Sequence, residues 1–151
     1  MSFETKIEKY AKLAVVTGVN IQKGQLLVIN ADVDCAWYVR LVVKAAYEAG
    51  AGEVVVNWND GQVNKMRYEY ADDDVLAYFY QWQYAQKKEY IDKNCAFLSI
   101  GSPDPTLLSH IDSHKLKLAQ MATSQGMQAL RYYTASNQGQ WSVELLPNPV
   151  W

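Results

Sequence analysis

The stretch from residue 95 to residue 105 most constrains what this chain can fold into. It begins with the mostly apolar run Cys-Ala-Phe-Leu-Ser-Ile and then stops at Gly-Ser-Pro, which favours a turn. A short apolar run bounded in this way is typical of a strand that is buried on both faces. The stretch therefore predicts a strand in the middle of a parallel sheet.

Three further segments predict the rest of that sheet. They are residues 25–30, 53–58 and 141–146, and a helical pattern follows each of the first two. Alternation of strands and helices is typical of α/β proteins. We therefore expect one α/β domain over residues 1–151, with an open, mainly parallel sheet of about four strands and helices on both faces. Right-handed crossovers and short connections favour a flavodoxin-like three-layer arrangement with strand order 2-1-3-4.

Periodic apolar residues and capping signals predict the helices between these strands. The first should cover residues 2–17, and the second should end at Gly50. A long helix should start at residues 72–74, which are three aspartates, and run to about Lys93. Asp104 and the two residues after it should open a helix to about His110, and a last helix should run from about residue 112 to about 136.

Composition excludes several classes of function. The net charge of -2, with both signs interspersed, provides no basic face for nucleic acid. No apolar run approaches the length of a membrane span, and charged residues interrupt the N-terminal segment where a signal peptide would be apolar. Cys35 and Cys95 fall inside a predicted helix and strand, as buried thiols of a reducing compartment do. We therefore expect a soluble cytoplasmic protein.

The chain is rich in aromatic residues, with five Trp and eleven Tyr. Many fall in the predicted helix over residues 75–93, which carries more ring surface than one core face holds. Those rings either meet another domain or subunit or pack internally, and the sequence leaves both interpretations open. Residues 147–151 contain two prolines and end at Trp151, which predicts a stiff, extended segment near a domain boundary.

The loops after the strands are where a ligand site is expected, because open parallel sheets bind ligands beyond the carboxyl ends of their strands. Here they are residues 30–34, 57–61 and 101–104. They contain no phosphate-binding fingerprint, and each carries an acid that would repel phosphate. Helix capping is the favoured role of these acids, and attraction of a cationic group such as a peptide amino terminus is the alternative. The acids are Asp32, Asp34, Asp60 and Asp104.

Other residues with chemical potential do not form a recognisable site. His110 and His114 have a helical spacing that could serve a metal, but the residues between them lack the glutamate of a zinc-protease helix. Asp32 and Asp34 begin like a calcium loop that the following residues do not continue. Ser102 does not lie in a nucleophile elbow. Spacing alone therefore predicts an α/β domain without a catalytic apparatus.

The chain also resembles a known family over essentially its whole length. It is similar to the N-terminal part of the bacterial metal-dependent aminopeptidases of the aminopeptidase T, AmpS and PepS family. The matching segments are residues 10–14 (YAKLA), 18–25 (GVNIQKGQ), 27–30 (LVIN), 49–58 (AGAGEVVVNW), 67–71 (RYEYA) and 96–100 (AFLSI), with Asp104, Pro105, Trp141, Pro147 and Trp151.

This resemblance implies a function that spacing does not show. In the family, two divalent metal ions of the zinc or cobalt type hydrolyse the amino-terminal residue from peptides, and their ligands lie in a larger C-terminal domain. The resemblance thus implies an N-terminal domain that holds no metal and is inactive alone. Its implied partners are its own C-terminal catalytic domain, short peptides and a second subunit of a homodimer.

In such an enzyme the N-terminal domain would act as a wall or lid that limits access to short peptides. Five residues at or after strand ends are our candidates for facing that cavity. Two alternatives remain open: a structural or dimerisation module whose aromatic helix carries the interface, and a small-ligand-binding α/β module. The five candidates are Asn30, Asn57, Trp58, Asp60 and Arg67.

Overall fold

The computed structural model describes residues 2–135 and 139–148. These residues form a four-stranded sheet in the order β2-β1-β3-β4, with every pair of neighbouring strands parallel. Both the α/β fold class and the strand order predicted from the sequence are confirmed. The strands are β1 (Leu26–Asp32), β2 (Glu53–Asn59), β3 (Ala96–Gly101) and β4 (Trp141–Leu145).

Helices and turns connect these strands. A π-helical turn at Ala14–Gly18 continues the first helix, and 3₁₀ turns at Val33–Cys35 and Gln128–Leu130 precede the second and the last. No described helix combines the length and the apolar character needed to cross a lipid bilayer. The helices are α1 (Phe3–Leu13), α2 (Ala36–Glu48), α3 (Gly61–Tyr70), α4 (Asp73–Leu76), α5 (Gln81–Asp92), α6 (Ser113–Gly126) and α7 (Arg131–Ala135).

One face of the sheet, which we call the packed face, carries the main core. Alternate strand residues point toward α1 and α2, because successive side chains of a strand point to opposite faces. Burial of this apolar surface is the main source of the domain's stability. The central members of this core are Ala11, Val15, Leu27, Ile29, Val39, Val42, Leu98 and Ile100, each at most 2% exposed.

The other face, which we call the open face, is covered by the described residues only near the amino ends of the strands. A small cluster there consists of Val28, Cys95, Phe97 and Tyr133, with Tyr90 and Ile91 of α5 packed against it. Two residues further along β1, Asn30 is exposed. Helices therefore lie on both faces, as predicted, but the carboxyl half of the open face has little cover.

The long helix predicted over residues 72–93 is wrong. The chain forms the short α4, leaves helical geometry at residues 77–80 and starts again as α5. The physical reason lies in Phe79, whose ring packs so closely on α6 that a Cβ atom at Gly126 would lie 2.3 Å from it. Tertiary packing of this ring interrupts a segment that local propensity alone would have made continuous.

The predicted helix from Asp104 to His110 is also wrong, because residues 105–110 form consecutive turns. One Asp104 carboxylate oxygen accepts hydrogen bonds from the Thr106 N–H at 2.8 Å and the Thr106 hydroxyl at 2.7 Å. This local bonding competes with a helix. The last predicted helix is divided into α6 and α7; its expected end near residue 136 and the exit after residue 148 lie outside the described residues.

Candidate functional site

The sheet brings two of the five predicted site residues together on the open face. Asn30 and Asn57 are register partners on β1 and β2, and the Asn57 Nδ2 donates to the Asn30 Oδ1 at 3.2 Å. The pair lies where the cover provided by α5 ends. It is therefore the part of the predicted site that the fold assembles.

Trp58 lies on the opposite side of the sheet. It follows Asn57 directly in β2, so the alternation of the strand turns its side chain to the face that carries Val54 and Val56. Those valines pack against the main core, whereas Trp58, near the end of the strand, remains 49% exposed. Trp58 and the asparagine pair therefore do not line one surface.

Asp60 and Arg67 have local roles around α3. One Asp60 carboxylate oxygen accepts from the N–H groups of Gln62 at 2.9 Å and Val63 at 3.4 Å, which caps the first turn of the helix. Arg67 Nη2 donates to the carbonyl oxygen of Val75 at 3.5 Å and so ties α3 to α4. Neither contact involves the asparagine pair.

The strand register arranges the side chains of the open face in rows that cross the sheet. The first row is Val55, Val28, Phe97 and Trp141, and the next row, which we call the polar row, is Asn57, Asn30, Ser99 and Val143. Rows on one face are separated by two residues of strand, about 7 Å. An apolar row is thus followed by a row in which three of the four side chains are neutral hydrogen-bonding groups.

A third row lies at the carboxyl edge and has a structural role. Asn59 Nδ2 donates to Asp32 Oδ1 at 3.1 Å, and the Ser102 N–H donates to Asp32 Oδ2 at 3.0 Å. Both carboxylate oxygens of Asp32 therefore bind groups of this chain. This row fixes the loop after β3 to the end of β1.

A cleft of about 470 Å³ opens between the open face and α5, and we call it the α5 cleft. Its floor includes Asn30, Asn57 and Ser99, and aromatic rings line its sides. Its volume falls within the usual range for small-molecule sites, roughly 300–1,000 Å³. The other residues that line it are Val28, Trp82, Gln83, Gln86, Lys87, Tyr90, Phe97, Met127, Trp141, Ser142 and Val143.

Sequence reasoning missed most of this cleft, including Ser99, Lys87, Trp82 and Trp141. A weak signal was present, because polar residues alternate at Asn57 and Asn59 and again at Asn30 and Asp32. In strands that are otherwise buried, such alternation indicates that one face is solvated. The pattern does not show which helix residues stand opposite.

The acids at the strand ends mostly serve the chain's own structure, but only Asp60 caps a helix as the capping interpretation predicted. Asp60 caps α3, and the hydrogen bonds from Thr106 lower the pKa of Asp104 below its usual value. Asp32 holds the loop after β3, and Asp34 lies in the 3₁₀ turn before α2. None of these contacts tests the alternative that the acids attract a cationic group.

In the described parts of the chain, no three side chains of His, Cys, Asp or Glu are placed to hold a metal ion. His114 Nε2 lies 3.4 Å from Asp73 Oδ2, and His110 Nδ1 lies 3.4 Å from the Ser109 hydroxyl. The two divalent metal ions implied by the resemblance do not fit these residues. No catalytic step is therefore assigned to them.

The two thiols are packed in the interior, as the sequence predicted. Cys35 and Cys95 are each 1% exposed. Burial raises the pKa of each thiol to about 11, and at Cys35 the nearby Asp32 and Asp34 add to that effect. Both groups therefore stay protonated near neutral pH, where the thiolate required of a nucleophile is scarce.

Glu144 is the one buried charged residue among the described residues, at 8% exposed. Its Oε2 accepts a 2.7 Å hydrogen bond from the hydroxyl of Tyr38, while its Oε1 has no partner within the described chain. Burial raises the pKa of this carboxyl above its usual value, against the opposing effects of the Tyr38 hydrogen bond and the nearby Tyr10 hydroxyl. Glu144 belongs to the packed face and lies apart from the α5 cleft.

Comparison with known proteins identifies aminopeptidases as relatives. The chain is 41% identical to aminopeptidase AmpS of Bacillus subtilis over 142 residues, which cover 94% of this chain and 35% of that protein. It is 34% identical to aminopeptidase 2 of Geobacillus stearothermophilus, with coverage of 99% and 36%. The chain thus spans about a third of the length of these relatives.

A solved structure shows the same fold. Wild-type AmpT from Thermus thermophilus superposes with a TM-score of 0.92 at 25% sequence identity, over 99% of this chain and 38% of that one. The model of the family described as thermophilic metalloprotease (M29) matches residues 3–151. This chain therefore belongs to the M29 metalloprotease family.

Proposed function

We propose that the chain is the N-terminal domain of a cytoplasmic metal-dependent aminopeptidase that releases amino-terminal residues from short peptides. The observation that carries this proposal is the match of nearly the whole chain to proteins named aminopeptidases, of which it covers about a third. The metal ligands would belong to the C-terminal catalytic domain, because the described residues offer no ligand set.

The role of this domain in the enzyme is to shape access to the reaction centre. Divalent metal ions held by the catalytic domain would supply Lewis-acid chemistry for the scissile carbonyl and the attacking water. The residues of this chain would border the entrance and restrict it to short peptides. Asn30 and Asn57 suit such a role because they expose polar groups on a surface with little cover. Trp58, Asp60 and Arg67 remain access candidates because they lie at or after the end of β2 in the chain.

The proposal is tested by comparing two proteins: the complete reading frame that contains this chain, and residues 1–151 alone. We expect the longer protein to bind divalent metal and to release amino-terminal residues from an aminoacyl chromogenic substrate. We expect the shorter one to do neither. Metal binding together with turnover by residues 1–151 would overturn the proposed division of labour.

The access role is tested in the longer protein with Trp58→Ala and Asp60→Asn. Asparagine also caps helices well, so the second substitution removes a charge and keeps the start of α3. We expect the ratio of kcat/KM for a dipeptide to that for a decapeptide to fall in these variants. An unchanged ratio in both would count against an access role for these positions.

A second candidate function, a dimerisation module, is favoured by an exposed aromatic group before and within α5. Tyr78, Tyr80 and Trp82 are 59%, 50% and 60% exposed, and their rings contact one another in sequence. Large exposed rings are common at subunit interfaces. Molar mass measured by light scattering for the longer protein, with and without Trp82→Ala, tests the homodimer that the resemblance implies.

A further inference from the structure

The α5 cleft has one charged group among its lining residues, the ammonium of Lys87. Lys87 Nζ lies 5.9 Å from the centroid of the Phe97 ring, within the range of a cation–π contact. Throughout the described chain, no carboxylate lies within ion-pair distance of this ammonium. Its neighbour Lys88 differs, because that ammonium binds Asp92 at 2.9 Å. Lys87 therefore offers the cleft an unpaired positive charge.

The polar row supplies the cleft with neutral hydrogen-bond donors and acceptors. The bond between Asn57 and Asn30 uses one donor and one acceptor, and leaves the Asn30 Nδ2 and the Asn57 Oδ1 without a partner among the described residues. The hydroxyl of Ser99, the next member of the row, makes no hydrogen bond there either. An amide donor, an amide acceptor and a hydroxyl are the complement of a peptide backbone.

The dimensions of these groups match a short extended peptide. Three neighbouring strands carry Asn57, Asn30 and Ser99, so the row spans about 10 Å at the usual spacing of strands. An extended peptide of three residues is also about 10 Å long. Lys87 stands over Phe97, one row of about 7 Å away on the same face.

We propose that the α5 cleft binds the carboxyl-terminal end of a short peptide, with Lys87 on its free α-carboxylate and the Asn30–Asn57 pair on its backbone amides. The rings of Trp82 and Trp141 flank the same space and suit an apolar or aromatic terminal side chain. This inference rests on the proposed function, because it takes the bound peptide to be the substrate and the bound end to be the one far from the cleaved residue. Its test requires no catalysis.

The test measures equilibrium binding of two probes to the 151-residue protein. The probes are the tripeptide Leu-Gly-Phe with a free carboxylate and the same tripeptide as its carboxamide. Calorimetry and the fluorescence of the tryptophans follow the titration, since two of them line the cleft. We expect the free acid to bind about tenfold more tightly than the carboxamide, because a charge-assisted bond to Lys87 forms only with the acid.

Variants divide this binding into its parts. Lys87→Gln should bring the affinity for the acid down to that for the carboxamide, whereas the matched control Lys88→Gln should keep the tenfold preference. Asn57→Leu should weaken the binding of both probes by a similar factor, since it removes a hydrogen bond to the peptide backbone and leaves the charge of Lys87 in place. Circular dichroism on each variant confirms that the protein used in each titration is folded.

Several outcomes would overturn the proposal. Absence of saturable binding by the folded protein would do so, as would equal affinities for acid and carboxamide. A loss of preference in Lys88→Gln equal to that in Lys87→Gln would show a general charge effect and would remove the assignment to Lys87. A failure of this proposal can be told apart from a failure of the proposed function, because the aminopeptidase assay on the longer protein does not depend on these titrations.

Discussion

The two faces of the sheet differ in what covers them. On the packed face, Leu27, Ile29 and Leu98 are fully buried beneath α1 and α2. On the open face, the small cluster around Val28 and Phe97 gives way within two residues to an asparagine pair and a cleft. The same strands supply both faces, so alternate residues of one strand have different surroundings. Stability depends mostly on one set, and the binding that we propose depends on the other.

The largest expected effect is a loss of stability on the packed face. Leu98→Ala removes a side chain that is 0% exposed, so it loses buried apolar contacts and leaves a cavity. Such substitutions cost about 2–5 kcal/mol of unfolding free energy. Urea denaturation followed by circular dichroism measures this change. A loss below about 1 kcal/mol would show that the packed face relaxes easily and would weaken the contrast between the faces.

A smaller effect, which depends on pH, is expected at Glu144. Burial raises its pKa in the folded state above the usual value of 4.5, so the native protein binds more protons than the unfolded chain just above pH 4.5. Stability contributed by this group is thus fully present below pH 4.5 and falls as the pH rises through the folded-state pKa. Glu144→Gln keeps an acceptor for the Tyr38 hydroxyl and removes the ionisation.

The gain in stability of Glu144→Gln over the native protein should therefore be larger at pH 7 than at pH 4. Thermal unfolding of both proteins at the two pH values measures this difference. An equal difference at both values would mean that the carboxyl finds a partner that stabilises its charge.

A still smaller effect on stability is expected in the polar row. Asn57→Leu removes a hydrogen bond of 3.2 Å to Asn30 that is exposed to solvent, so it should change the unfolding free energy by less than about 1 kcal/mol. Denaturation of this variant beside Leu98→Ala makes the comparison. A larger loss of unfolding free energy would show that the polar row contributes substantially to the stability of the sheet.

The smallest effect is expected for Leu145→Ala, which matches Leu98→Ala in chemistry but lies on the open face. Leu145 is 56% exposed, so its truncation should stay within about 0.5 kcal/mol of the native stability. The difference between the two leucine variants is the direct measure of the contrast between the faces. A marked loss here would indicate that the open face is more closely packed than the exposure of Leu145 implies.

The sequence predicted the strands well, because short apolar runs ended by Gly, Asn or Asp are strong local signals. Their order came from general rules on right-handed crossovers and short connections, because no local signal in the chain determines it. Local signals failed where distant parts of the chain decide the conformation. The ring of Phe79 packs on Gly126 and interrupts a predicted helix, and the Asp104 side chain replaces a helix start with a turn.

The candidate site was predictable only in part for the same reason. Asn30 and Asn57 were named as candidates because the sequence placed both at or near strand ends, and the parallel register pairs them, although each strand continues for two more residues. Trp58 was grouped with them by proximity in sequence, although strand alternation directs it to the other face. Lys87 and Trp82 come from α5, and no pattern in the chain indicates that this helix stands opposite the polar row.

The free edge of β2 shows how the fold limits unwanted pairing between molecules. This strand has β1 as its single neighbour in the described sheet, and its core is the β-branched run Val54, Val55 and Val56. An edge of this kind is a template for intermolecular strand addition. The hydroxyl of Tyr47 accepts a 3.0 Å hydrogen bond from the Val54 N–H, so one of the donors that an incoming strand would require is already engaged. A single phenolic oxygen thus removes one backbone donor from the exposed edge of the sheet.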